Sequence, residues 1–118
     1  MVTIRDLAEA AISGDNFALR SLYQDFAREL PQLSECPQPQ VTDKRVLAAA
    51  ASLIELLAER SKQLPPSWAA EVGALKEPIY LVPSAKTMKH LRVLCEKESP
   101  APLYIRGFYA PPNFLEFA

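Results

Sequence analysis

The feature that most constrains the fold of this chain is a stripe of apolar residues at helical spacing between residues 42 and 64. Its members repeat at the i, i+3, i+4 and i+7 positions that share one face of an α-helix. Thr42 is the predicted N-cap, and Pro65 and Pro66 are the predicted stop. The stripe consists of Val46, Leu47, Ala50, Leu53, Ile54, Leu57, Ser61 and Leu64.

This central helix is expected to form the core. We predict that Leu53, Ile54 and Leu57 pack against the first two helices of the chain. The unbroken alanine run 48–51 combines high helix propensity with small side chains, which let another helix approach closely. That close contact is expected either within the chain or between two copies, and the second case would make the protein a structural homodimer.

Two shorter helices are predicted before residue 31. Thr3 and Asp6 have the spacing of a capping box, and Gly14 suits the left-handed position that ends a helix. Asp15 or Asn16 can cap the second helix, which Pro31 would end. The stripe of the second helix consists of Leu19, Leu22, Tyr23, Phe26 and Leu30.

Each predicted helix after the first is followed by a segment that contains several prolines. Residues 31–41 are expected to form an irregular connection in which Cys36 is an exposed thiol. Ser67 is expected to cap a short turn, and residues 78–83 to form an isolated extended segment between two prolines. Ser84 is the predicted cap of a last helix over about residues 85–97. The apolar stripe of that helix consists of Met88, Leu91, Leu94 and Cys95, and its polar face carries Lys86, Lys89, His90, Arg92 and Lys97.

The C-terminal stretch differs from the rest of the chain. Residues 98–118 hold four of the eleven prolines and five of the nine Phe and Tyr residues. We predict an irregular, extended tail over residues 102–118 that packs on the helices and completes the core. In the alternative, several of its aromatic side chains stay exposed as a docking patch with Arg106 on the polar rim. The large apolar residues of this tail are Leu103, Tyr104, Ile105, Phe108, Tyr109, Phe114, Leu115 and Phe117.

The length of the chain indicates a single domain over residues 1–118, and the helical periodicity indicates a mainly α bundle. The chain is 49% hydrophobic with a net charge of −1, which argues against a strongly basic nucleic-acid binder. It shows no secretory signal and no run of about 18 apolar residues, so we expect a cytoplasmic protein without membrane contact. The two cysteines are expected to be reduced thiols.

Charge is unevenly distributed along the chain. Residues 1–75 carry seven Lys or Arg against ten Asp or Glu, whereas residues 76–106 carry six against three. Differences in net charge of this size between two parts of a chain are expected by chance. The alternative is a basic face around Lys86, Lys89, Arg92 and Arg106 that meets an acidic partner.

No pattern of residues indicates catalysis. The single histidine, His90, lies on a lysine-rich helical face without ligand companions, and the three glycines form no phosphate-binding loop. Glu55 and Glu59 are one helical turn apart, but nothing in the sequence indicates that either is buried. We therefore expect a non-enzymatic protein with no metal and no cofactor.

Four passages covering the last two thirds of the chain carry a resemblance. They are Leu53 to Arg60, Pro65 to Trp68, Glu77 to Val82, and Glu98 to Leu103 leading to Arg106 and to Tyr109 through Leu115. The chain resembles a group of small bacterial helical proteins with a Ser-Pro-x-Pro-Leu…Arg…Ala-Pro-Pro-Asn-Phe-Leu segment. Such proteins often have Asn after the arginine, where this chain has Gly107. The resemblance implies a place in toxin–antitoxin-like pairs beside nucleotidyltransferase-like partners, and it carries no active site.

Three functions remain open from the sequence. The first is a protein-interaction module, the antitoxin-like or adaptor half of a two-protein bacterial system. The second is a small ligand-binding domain or enzyme with a pocket near Trp68, Tyr80 and the C-terminal aromatics, and the third is the homodimer. The candidate partner-binding residues are Trp68, Tyr80, Arg92, Arg106, Phe108, Tyr109 and Phe114.

Overall fold

The computed structural model describes residues 2–30 and 32–115, without the side chains of Pro83 and Lys86. The described chain is mainly helical, which confirms the predicted fold class. Its α-helices are α1 (Ile4–Ser13), α2 (Asn16–Glu29), α3 (Lys44–Ser61), α4 (Lys89–Glu98) and α5 (Ala101–Tyr104). Short 3₁₀-helices cover Leu33–Glu35, Ser67–Glu71 and Pro83–Lys86, and two strands, β1 (Ile79–Tyr80) and β2 (Phe108–Tyr109), pair in parallel.

The predicted caps of α1 and α2 are confirmed. Thr3 and Asp6 form a reciprocal capping box, in which each side chain accepts a hydrogen bond from the backbone N–H of the other residue. Gly14 ends α1 with φ of 77°, a left-handed conformation that glycine adopts at low cost. The Asp15 carboxylate accepts a hydrogen bond from the N–H of Ala18 and so caps α2. The predicted stop at Pro31 lies outside the described residues.

Helix α3 is shorter than predicted at both ends. Asp43, not Thr42, is its N-cap, because the Asp43 carboxylate accepts the N–H of Arg45 at 2.9 Å. At the other end the backbone of Lys62 is left-handed, with φ of 57°, and its backbone N–H donates to the carbonyls of Ala58 and Glu59. Pro65 disfavours helical backbone at the residue before it. Leu64 therefore lies outside the helix and is 79% exposed.

The core lies between α1 and α3. Leu53 and Ile54 are fully buried and Leu57 is nearly so, as predicted. The helix that packs along α3 is α1, while α2 packs mainly on α1. The alanine run 48–51 is fully buried together with the small residues of α1, so it serves a close contact within the chain. These alanines are consequently not exposed for contact with a second copy.

The connection between α2 and α3 packs against the bundle. Cys36 is only 4% exposed, so the prediction of an exposed thiol is wrong. Leu33 and Cys36 both belong to the core, which draws the segment inward. The N–H of Leu33 donates to the Gln63 side chain, and the indole N–H of Trp68 donates to the carbonyl of Cys36. These hydrogen bonds provide partners for backbone groups that have none in a regular helix or strand, because the prolines prevent one from forming here.

Residues 79 and 80 form a strand, which corrects the prediction of an isolated extended segment. Ile79 pairs with Phe108, and Tyr80 pairs with Tyr109. The N–H of Ile79 donates to the carbonyl of Gly107 at 2.8 Å, and the N–H of Leu81 donates to that of Tyr109 at 2.9 Å. Pairing depends on the C-terminal tail, a partner remote in sequence that local pattern cannot reveal.

Helix α4 begins later than predicted. Ser84 lies inside the 3₁₀-helix Pro83–Lys86 and caps nothing with its side chain, whereas α4 starts at Lys89. Met88 separates the two helices with extended backbone, φ −105° and ψ 101°. Cys95 is fully buried, as predicted for an apolar stripe, but Met88 is 55% exposed.

The C-terminal segment is more regular than predicted. It begins with helix α5, whose first turn accommodates Pro102, and continues into β2, so an extended tail from residue 102 is wrong. The prediction that it completes the core is confirmed for Leu103, Phe108, Phe114 and Leu115. Tyr104 and Ile105 are just over half exposed, and Phe117 lies outside the described residues.

Candidate functional site

Arg106 lies in the interior, with 4% of its surface exposed. Its guanidinium donates to the Glu55 carboxylate, to the carbonyls of Ala69 at 2.7 Å and Val72 at 3.1 Å, and more weakly to that of Pro102 at 3.4 Å. These acceptors come from α3, from the 3₁₀-helix Ser67–Glu71 and the residue after it, and from α5. The predictions that Arg106 lies on a polar rim or a basic face are therefore wrong, and its role is to join these elements.

Two other candidate residues are also interior. Phe108 is fully buried and Phe114 nearly so. Arg60 fixes the segment that contains Phe114, because its guanidinium donates to the carbonyls of Phe114 and Pro112. A partner could reach these aromatic rings only after the C-terminal segment had detached from the bundle.

The strand pair brings three candidate residues together on the outside of the molecule. Successive side chains of a strand point to opposite faces, so Ile79 and Phe108 share the core side and the two paired tyrosines share the outer side. The rings of Tyr80 and Tyr109 have centroids 5.3 Å apart and are inclined by 41°. We call the partly exposed group Tyr80, Tyr109, Arg92 and Glu96 the tyrosine surface.

Helix α4 provides the polar part of the tyrosine surface. Arg92 and Glu96 are four residues apart and so lie on one helical face. The Tyr80 hydroxyl donates to the Glu96 carboxylate. This hydrogen bond, followed by partial burial and the negative charge of Glu96, raises the pKa of Tyr80 to about 12, and the charge of Arg92 acts in the opposite direction. Tyr80 therefore remains a protonated donor at neutral pH.

Trp68 lines a separate cleft of about 580 Å³. Its indole N–H donates to the carbonyl of Cys36 at 2.7 Å, which fixes the ring as one wall. Neither Tyr80 nor any described aromatic residue of the C-terminal segment lines this cleft, so this cleft is not the pocket expected from the sequence. The cleft is lined by Gln38, Lys44, Leu47, Trp68, Glu71, Val72, Gly73, Ala74, Leu75 and Lys76.

The two thiols are poorly suited to nucleophilic chemistry. Cys36 lines a further, mostly apolar cavity of about 490 Å³ together with Val2, Phe26 and Leu30. Burial raises the pKa of Cys36 to about 11. Burial, with a smaller contribution from the charge of Glu96, also raises the pKa of Cys95. Since the thiolate is the reactive form, both groups are mainly unreactive thiols at neutral pH.

The remaining polar groups form no further constellation in the part of the chain that the structure describes. His90 is exposed, as predicted. Within residues 2–30 and 32–115, no three side chains of His, Cys, Asp or Glu lie close enough together to hold a metal ion. None of the helices in those ranges has both the length and the apolar character to cross a membrane.

Comparison with known proteins adds no assignment: no family model matches the chain, and no curated protein or solved structure matches it. The function of the chain is therefore inferred from its own sequence and geometry. Sequence reasoning selected Tyr80, Tyr109 and Arg92, which the structure brings together, but it missed Glu96 and Glu55. The i, i+4 spacing of Arg92 and Glu96 could have indicated Glu96, whereas no local signal indicates that Glu55 faces a buried arginine.

Proposed function

We propose that this protein is a non-catalytic interaction module, the adaptor or antitoxin-like half of a two-protein bacterial system. Its partner docks on the tyrosine surface. The observation that carries this proposal is the parallel register of β1 and β2, which sets Tyr80 beside Tyr109 on the side of the strands that faces away from the core. Tyrosine and arginine are among the residue types enriched at the positions that dominate the energy of protein interfaces.

The chemistry of the tyrosine surface supports the same proposal. Among the described residues, neither the Arg92 guanidinium nor the Tyr109 hydroxyl makes a hydrogen bond or an ion pair. Each is free to donate to a carbonyl or carboxylate of a partner. The Tyr80–Glu96 hydrogen bond and the strand pairing hold the rings in place before docking, which reduces the entropy lost on binding.

The partner in this proposal is a protein. The resemblance in the C-terminal passages favours a nucleotidyltransferase-like protein encoded beside this chain, and the proposal places both in the cytoplasm. The alternative of a homodimer joined through α3 has less support, because the alanines that would form it are fully buried within the chain.

Co-expression tests the proposal. The tagged chain is expressed with the product of the adjacent reading frame, and the two are expected to co-purify in a fixed ratio. Tyr109→Ala and Arg92→Glu should each reduce recovery of the partner. The matched control is Phe17→Ala, an aromatic truncation at a side chain that is 87% exposed on α2 and outside the tyrosine surface.

Far-UV circular dichroism of each variant separates a lost interface from a lost fold. Arg92 is exposed and unpaired among the described residues, so its replacement should leave the melting temperature unchanged. Recovery of the partner at wild-type level by both surface variants would reject the tyrosine surface as the interface.

A further inference from the structure

The Trp68 cleft is a preformed concave site independent of the tyrosine surface. Its apolar side consists of the Trp68 ring together with Leu47, Val72 and Leu75. The hydrogen bond from the indole to the Cys36 carbonyl uses the only polar atom of the ring, so the ring contributes apolar contact to the lining of the cleft. A volume of about 580 Å³ lies in the usual range for small-molecule sites, and both polar and apolar residues line this cleft.

The polar groups of the cleft favour an anion. Lys44 and Lys76 both line it, and neither ammonium makes a hydrogen bond or an ion pair with any residue that the structure describes. Glu71 is the carboxylate on the same rim, so cationic charge exceeds anionic charge.

We propose that the Trp68 cleft binds a small planar aromatic molecule that carries an anionic group. The aromatic ring packs on the indole of Trp68 and against Leu47 and Leu75. The anionic group lies towards the ammonium groups of Lys44 and Lys76. This inference does not depend on the proposed protein interaction, because none of the four residues of the tyrosine surface lines the cleft.

Because Trp68 is the single tryptophan of the chain, its indole N–H gives one identifiable cross-peak in a proton–nitrogen NMR spectrum. The anionic aromatic probes are AMP and 2-naphthoate. Adenosine lacks the phosphate of AMP, and ribose 5-phosphate lacks its ring. We expect an anionic aromatic probe to shift the Trp68 indole and Gly73 amide cross-peaks with an affinity at least about tenfold higher than adenosine or ribose 5-phosphate.

Charge removal gives the second arm of the experiment. Lys44→Gln combined with Lys76→Gln should lower the affinity for AMP to within about twofold of the affinity for adenosine. Lys62→Gln is the matched control, because Lys62 lies at the opposite end of α3, about 27 Å away at 1.5 Å per residue. The same spectra show whether each variant is folded.

Three results would overturn the inference. One is the absence of any shift of the Trp68 cross-peak with AMP and with 2-naphthoate at about 10 mM. A ligand that does not bind at that concentration has a binding free energy weaker than about 3 kcal/mol. Another is equal affinity for AMP, adenosine and ribose 5-phosphate. The third is unchanged AMP affinity in the double lysine variant.

Discussion

Replacing Arg106 by methionine is the most informative perturbation of the fold. The Arg106 side chain is 5% exposed and its partner Glu55 is 19% exposed. The Arg106→Met variant keeps the apolar stem but removes the hydrogen bonds from the guanidinium to the Glu55 carboxylate and to the carbonyls of Ala69, Val72 and Pro102. It therefore leaves the largely buried Glu55 carboxylate and the carbonyls of Val72 and Pro102 without this partner, whereas the Ala69 carbonyl still accepts the N–H of Val72 at 3.2 Å.

Removing one member of a buried ion pair costs about 3 to 5 kcal/mol. Because Glu55 retains some contact with water, we expect a loss near the lower limit, about 3 kcal/mol. That loss is a large part of the about 5 to 15 kcal/mol that stabilises an ordinary domain. Guanidinium chloride unfolding followed by far-UV circular dichroism measures it as a lower transition midpoint.

Two further variants test the reasoning. Arg28→Met breaks an exposed pair with Asp25, whose side chains are 75% and 46% exposed, and should cost less than about 0.5 kcal/mol. Glu55→Met combined with Arg106→Met should cost less than the sum of the single changes by about 1 to 3 kcal/mol, because the two groups interact directly. A loss below about 1 kcal/mol for Arg106→Met, or strict additivity, would refute the structural role of the pair.

Three other predictions follow from the described residues. Ser52 is fully buried with an unpartnered hydroxyl, so Ser52→Ala should raise the free energy of unfolding by about 1 to 3 kcal/mol, and more than Ser61→Ala, whose hydroxyl donates to a backbone carbonyl. Ellman's reagent at pH 8 should label Cys36 and Cys95 slowly in the native protein and both rapidly in denaturant, since burial raises both pKa values; rapid native labelling would contradict their burial. Deleting residues 103–118 should unfold the protein, because each buried large side chain contributes about 1.5 to 3 kcal/mol, and a truncated protein with the native melting temperature would contradict this.

The sequence predicted the local features of the fold well. The capping box at Thr3, the glycine stop at Gly14 and the buried face of α3 all depend on residues within a few positions of each other. Helical periodicity and capping chemistry are properties of such short windows. For the same reason the extent of α3 was overestimated: periodicity continues to Leu64, but the backbone already turns at Lys62.

The sequence could not predict contacts between distant residues. The β1 strand exists because residues 107–109 supply its partner, about 30 positions later in the chain. Arg106 reads as a surface cation until Glu55 and the carbonyls of Ala69 and Val72 are seen around it. The tyrosine surface has the same origin, because the strand register brings Tyr80 beside Tyr109 and a hydrogen bond joins Tyr80 to Glu96 of α4.

The most direct test of the proposed function is the affinity of the purified partner for Tyr109→Ala and for Arg92→Ala, measured by isothermal titration calorimetry. Both side chains are outside the core, and Arg92 is exposed. If the tyrosine surface is the interface, Tyr109→Ala should weaken binding by about 2 kcal/mol or more, which is about 30-fold, and Arg92→Ala by a clear fraction of that. Dissociation constants within about twofold of wild type for both variants, at unchanged melting temperature, would contradict the proposal.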